Sequence, residues 1–130
     1  MRPLIVLLDS PSAAVQYDGA TTLLTLSASG GAVRRAAATY IGLLADHADN
    51  NVRLIAMGRL ATLCERHSEL VGDMAAEVLR ALASPSVEIR CKALELAEKL
   101  VTQRNVEQVM WKEDTHTHTH IYTYYIFLKQ

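Results

Sequence analysis

Signatures of catalysis are missing from this 130-residue chain. It has no GxGxxG, no P-loop, no HExxH and no GxSxG. Dinucleotide binding, phosphate cradling, zinc proteolysis and the hydrolase nucleophile elbow each depend on one of those loops or ligand spacings. Cysteine is scarce as well. Cys64 and Cys91 are the two present, with no CxxC and no histidine at metal spacing, which excludes a disulfide framework and a finger-type zinc site. Both lie among apolar helical neighbours and are expected to be reduced, buried thiols. Neither sign of charge is in excess. The net charge of −1 leaves no electrostatic footprint for nucleic acid or a membrane surface. Long apolar runs are absent too. The stretch Leu4 to Leu8 is far short of the roughly 20 residues of a spanning helix and of the roughly 7–15-residue core of a signal peptide. It is expected to be the end of a helix that begins earlier.

What is present is a segment that returns. Ser10-Pro11-Ser12-Ala13-Ala14-Val15-Gln16-Tyr17, Asp49-Asn50-Asn51-Val52-Arg53-Leu54 and Ser84-Pro85-Ser86-Val87-Glu88-Ile89 each run from a polar or proline turn into valine, a polar residue and an apolar one. The valines are 37 and then 35 residues apart. A period of that size marks stacked helical pairs of the HEAT or armadillo kind. Such arrays present surfaces to partners.

The pattern predicts helices over 13–27, 32–46, 52–66, 69–83 and 87–101. Ser12 suits an N-cap. The helix after it would bury Val15, Ala20, Leu23, Leu24 and Leu26, with Gly19 a poor helix former inside it. Gly30-Gly31 reads as a break. The second helix places Val33, Ala37, Tyr40, Ile41 and Leu44 at helical spacing, and Ala36-Ala37-Ala38 permits a close neighbour. Asp49 to Asn51 is a turn and cap. The His67-Ser68 junction begins a helix with Val71, Met74, Val78 and Leu82 on one face. Ser84-Pro85-Ser86 ends it, because proline and the residue before it leave the helical region. The fifth helix carries two apolar rows, Val87/Cys91/Leu94/Val101 and Ile89/Ala93/Leu96/Leu100. Opposite them Glu88–Lys92 and Glu95–Lys99 form i,i+4 pairs on a solvated face. Two rows exceed what one partner helix covers. Residues 105–111 start a sixth helix.

No residue recommends itself as catalytic, cofactor-binding or metal-binding. His47 and His67 sit near helix ends, where a histidine favours the helix dipole. Arg34-Arg35, the basic doublet, reads as solvated. From Glu113 the character changes. Residues 1–112 form the repeat body and 113–130 a low-complexity tail. Four of the seven aromatic residues lie in that tail, after Thr-His-Thr-His-Thr-His. Alternating ACA and CAC codons produce such a run, so the tail is expected to be translated non-coding sequence. His116, His118 and His120 would share one face of an extended strand. They lack the partners that fix imidazoles in evolved metal sites. Ile121 to Leu128 is β-prone and uncharged, an aggregation hazard.

Three stretches resemble the coatomer beta subunit (beta-COP) family. They are Ala14 through Ser27; Asp49 to Ile55 with Arg59-Leu60; and Pro85 to Ala97, continuing to Arg104-Asn105-Val106-Glu107. Their order and spacing suit one continuous piece of that subunit, and the resemblance covers roughly residues 4 to 109. It implies an all-α solenoid fragment of a non-enzymatic vesicle coat, cytoplasmic and peripheral to Golgi membranes, serving Golgi–ER and intra-Golgi traffic. The implied partners are other coatomer subunits and, through the parent complex, an Arf-family GTPase; no cofactor and no nucleic acid is implied. Another HEAT scaffold, of the importin or phosphatase regulatory type, is the alternative, as is, more remotely, a small hydrolase or metal-binding protein using the tail histidines.

Deleting residues 114–130 is expected to leave the helical circular dichroism per helical residue almost unchanged and to reduce aggregation in light scattering. A large loss of ellipticity would make the tail part of the folded body.

Overall fold

The structure is a computed structural model that describes residues 2–74, 77–78, 80 and 84–100. Five α-helices are seen among the described residues: α1 (Arg2–Leu8), α2 (Ala13–Leu26), α3 (Gly30–Asp46), α4 (Asn50–Val71) and α5 (Val87–Leu100), with a 3-10 turn at Gly72–Met74. No strand occurs among the described residues. Val101, Leu82, the expected sixth helix and the whole of 113–130 lie outside them.

The helix starts follow from local chemistry. Extended residues Ser12, Ser29 and Asp49 stand before α2, α3 and α4. Ser29 accepts a hydrogen bond from the Ala32 amide at 3.3 Å, and Asp49 from the Asn51 amide at 2.8 Å. Each satisfies an amide that the first turn leaves without an intrahelical partner. Ser12 holds the cap position without a side-chain hydrogen bond; its carbonyl accepts from the Gln16 amide at 3.0 Å. At the third recurrence of the motif, the Ile89 amide donates to the Ser86 hydroxyl at 3.4 Å, and Arg90 donates to the Ser84 carbonyl at 3.0 Å.

Gly30 and Gly31 do not break the chain. They form the first turn of α3 with ordinary negative φ. Two glycines cost least there, where the amides have no helical partner to lose. The break falls at Ser27–Ser29 instead, where the Ser27 amide closes α2 on the Leu23 carbonyl. Helix α4 contains both the expected third helix and the start of the fourth. They meet at His67, whose φ −138 and ψ 43 are not helical. The expected junction is therefore a kink without a loop.

Packing directions come from the contacts. Tyr17 and Tyr40 pair at 5.9 Å between centroids, far from the α2–α3 turn, so those helices run antiparallel. Arg53 Nε donates to the Leu44 carbonyl at 2.7 Å. Leu70 lies 3.8 Å from where a Gly30 Cβ would stand. Those contacts hold α3 and α4 together at opposite ends, again antiparallel. Met57 packs with Ile89 and Ala93, and Glu65 pairs with Lys99, so α4 and α5 run parallel. Helices α2, α4 and α5 open at Ala13, Asn50 and Val87, 37 residues apart each time. Parallel leading helices at a fixed interval, with the antiparallel α3 between the first two, make a solenoid. The all-α solenoid reading is borne out.

The core forms around α3, where Ala32, Val33, Ala36, Ala37, Tyr40, Ile41, Leu43 and Leu44 are all buried. All five expected core positions of this helix are among them. Helix α2 buries Ala20 and Leu23 with Leu24 half-buried, but leaves Val15 and Leu26 exposed. At about 100° per residue those two lie roughly 140° and 120° around the helix from Ala20, off the buried stripe. Gly19 is buried because α1 crosses over it. A Cβ there would stand 3.2 Å from Leu8 Cδ2 and 3.4 Å from Leu7 Cβ. The glycine that weakens α2 as a helix seats α1. Of the two rows on α5, Ile89/Ala93/Leu96/Leu100 is buried, while Val87 and Cys91 are exposed and Leu94 is half-buried. The described residues cover one row only. Cys91 thus departs from the expected buried thiol, and Cys64 meets it. The ion pairs also differ from the i,i+4 expectation. Lys92 bonds Glu95 at 3.1 Å, and Lys99 crosses to Glu65 on α4 at 2.8 Å.

Leu60 is fully buried and Ile55, on the same helix, is 54% exposed. Leu60→Ala is expected to cost about 2–5 kcal/mol in chemical denaturation, and Ile55→Ala to stay within about 0.5 kcal/mol. Equal costs would contradict this packing.

Candidate functional site

Helices α2 and α4 run side by side with α3 beneath, and a groove of 480 Å³ opens between them. Its floor is Leu24, Val33, Leu63 and Tyr40, and its walls carry Thr21, Thr25, Thr62, Arg59, Arg66 and His67. Arg59, Thr62 and Arg66 share one face of α4 through i, i+3, i+7 spacing, and Thr21 and Thr25 face them through i, i+4 on α2.

A tyrosine pair closes the amino-terminal end. Tyr40 is 1% exposed. The Thr21 hydroxyl donates to the Tyr17 carbonyl at 3.0 Å and lies 3.0 Å from the Tyr40 hydroxyl. With the Thr21 proton committed to the carbonyl, Tyr40 is the donor to Thr21. Burial pushes the Tyr40 phenol above its ordinary pKa. Arg59 Nε donates to the Tyr17 hydroxyl, and its guanidinium lies 5.5 Å from that ring's centroid. The arginine is therefore held in place on an aromatic face. At the other end His67 reaches the groove because the kink turns it out of the helical register.

Among the described residues that line this groove, none is a carboxylate. Glu65, next to Arg66 in sequence, is engaged by Lys99. That hydrogen bond and charge hold the Glu65 carboxyl below the usual carboxylate range and raise the Lys99 ammonium. The groove offers cations, hydroxyls and an apolar floor, which suits recognition.

The residues considered for chemistry are scattered. His47 accepts the Asp49 amide on Nδ1 at 3.0 Å, a turn-forming contact. His67 lines the groove, at the opposite end of α4 from His47. Arg35 pairs with Asp9 at 2.8 Å while Arg34 is exposed, so the doublet is split between a surface ion pair and solvent. Among the described residues no group of three or more His, Cys, Asp or Glu could hold a metal, and no helix is long and apolar enough to cross a membrane. His116, His118 and His120 lie outside the described residues. Sequence reasoning missed Arg59, Arg66 and Tyr17. The 59/62/66 spacing was the available signal, but only the fold shows which face of α4 it occupies.

The family described as the adaptin N terminal region matches residues 1–118. Among curated proteins, the chain is 48% identical over 110 residues to coatomer subunit beta-2 of Oryza sativa subsp. japonica, covering 85% of this chain and 12% of the relative. It is 43% identical over 112 residues to coatomer subunit beta of Rattus norvegicus and 39% over 110 residues to that of Dictyostelium discoideum, with the same coverage. The chain thus spans 12% of the length of these curated relatives.

Burial raises the Cys64 thiol to about 11, whereas Cys91 is exposed. At pH 8 the native protein should therefore label on Cys91 alone, and on both thiols once unfolded, since the thiolate is the reactive form. Mass spectrometry after maleimide treatment reads this directly. Rapid native labelling of Cys64 would contradict its place in the core.

Proposed function

The chain belongs to the adaptin N-terminal region family, and from that premise we propose that it is a trunk segment of a coatomer beta-type vesicle coat subunit. Its role is scaffolding without catalysis. Stacked helix pairs bury a continuous core, the offset between repeats sets the curvature of the trunk, and exposed helix faces meet neighbouring subunits. The observation that carries this reading is the similarity to coatomer beta subunits along 85% of the chain, together with leading helices repeated at a constant interval. The relatives' names supply the coat. The cytoplasmic location, peripheral to Golgi membranes, and the Golgi–ER and intra-Golgi routes are parts of the proposal. So are the other coatomer subunits as partners and an Arf-family GTPase acting through the parent complex. The proposal assigns the chain neither a cofactor nor a nucleic acid.

The repeat body is proposed to end near residue 112, with 113–130 contributing nothing to the coat. The family match runs to residue 118, so the two boundaries differ by only a few residues.

A chimera tests the assignment. The matching stretch of the rat coatomer beta subunit is replaced by residues 4–109 of this chain, and the tagged product is expressed in rat cells. It is expected to co-purify with the other coatomer subunits and to colocalise with Golgi membranes. A folded chimera that stays out of the complex would sink the proposal. Recovery with nuclear import cargo or with a phosphatase catalytic subunit would favour the alternative scaffolds.

A further inference from the structure

We propose that the groove between α2 and α4 is a docking site for an acidic peptide segment of a partner protein. The inference stands on the groove's own chemistry and does not depend on the coat assignment.

Charge is the first argument. Arg59, Arg66 and His67 line the groove, and none of the described residues lining it is a carboxylate. Of the four ion pairs among the described residues, none involves Arg59 or Arg66. The carboxylate nearest in sequence, Glu65, is taken by Lys99 at 2.8 Å. Arg59 is already positioned by Tyr17, so little side-chain freedom remains to be lost when an anion arrives. A guanidinium presents its N–H groups as a fork that fits a carboxylate.

Hydrogen-bond polarity then selects a peptide over other anions. Thr25 and Thr62 donate their hydroxyl protons to the Thr21 and Gly58 carbonyls four residues back. Their oxygens remain as acceptors. The groove thus offers donors from α4 and acceptors from both walls. A peptide backbone carries N–H groups for those acceptors and acidic side chains for the arginines. Inorganic phosphate and the headgroups of an anionic lipid bring acceptors almost alone. The apolar floor of Leu24, Val33 and Leu63 lies below the helix crests. An aliphatic side chain alternating with acidic ones reaches it, and a flat headgroup layer does not.

The test uses the purified full chain. Fluorescence anisotropy compares a short fluorescein-labelled Glu/Leu peptide with its Gln/Leu counterpart, and flotation measures binding to phosphatidylserine vesicles. Glu/Leu binding, weak or absent Gln/Leu binding and no flotation are expected. Arg66→Glu, on α4, should weaken binding about tenfold, as expected for loss of one charge-assisted contact. Thr25→Glu, on the facing wall, should do the same, and both residues are exposed, so circular dichroism and melting temperature should hold. Arg34→Glu, an equal charge change at an exposed arginine outside the groove, should leave affinity unchanged. Equal binding of the two peptides would overturn the proposal. So would an equal loss in Arg34→Glu, vesicle binding in place of peptide binding, or no binding by the folded chain.

Discussion

Close approach to α3 is the constraint on which the rest of this body depends. Ala32, Ala36 and Ala37 are buried along it, and side chains of that size let α2 and α4 draw near enough to touch each other as well as α3. The Tyr17–Arg59 contact and the groove exist because of that nearness. Larger residues at 36 and 37 would force the flanking helices apart, at the cost of strain or of voids elsewhere in the core. Tyr40 is the exception on the same helix. It is large, but it sits toward the far end, where α2 starts and room is available, and its hydroxyl meets Thr21. The stability of the body therefore rests mainly on apolar burial. The ion pairs Arg35–Asp9, from α3 to the turn after α1, and Lys99–Glu65, between α5 and α4, are exposed on both partners and contribute little.

The turns settle register without adding mass to the core. Asp49 caps α4 while Arg53, one turn later, reaches back to the Leu44 carbonyl at the end of α3. Ser86 caps α5 while Arg90, again four residues on, reaches back to the Ser84 carbonyl. The same device recurs 37 residues later: a short polar cap, then an arginine folded onto the preceding chain. Orphan carbonyls at a helix end are satisfied by the helix that follows. The turn at Asp49 thus ties two helices together, and each turn fixes where the next helix begins. This explains why the period is steady while the residues between vary.

Most of the fold could be read from the residues. The five core positions of α3, the cap at Asp49, the non-helical turn at residues 84–86 and the junction at His67 all follow from local rules of periodicity, capping and backbone restriction. The misreadings share a cause. Val15, Leu26 and Val87 are apolar at helical spacing, yet exposed, because periodicity defines a stripe and cannot say which of two adjoining stripes meets a neighbour. Gly30-Gly31 looked like a break because glycine was weighed as a helix-interior residue, whereas its place in the first turn removes most of that cost. Lys99 was assigned to Glu95 by sequence distance and instead found Glu65 on another helix. The groove was the least legible feature. Its walls come from residues 21–25 and 59–67, and nothing local in either segment reports the other.

The kink at His67 has a mechanical meaning. Helices α2, α3 and α4 are joined by capped turns, which can rotate about a few backbone torsions. Within α4 the chain keeps a helical path across His67, a single bent residue. Such a joint behaves as a weld. A trunk that flexed would pivot at the turns near residues 27–29, 47–49 and 84–86, and would carry residues 50–71 as one bent strut. Compliance is then distributed unevenly along the solenoid, with a stiff elbow in its middle and pliant joints on either side.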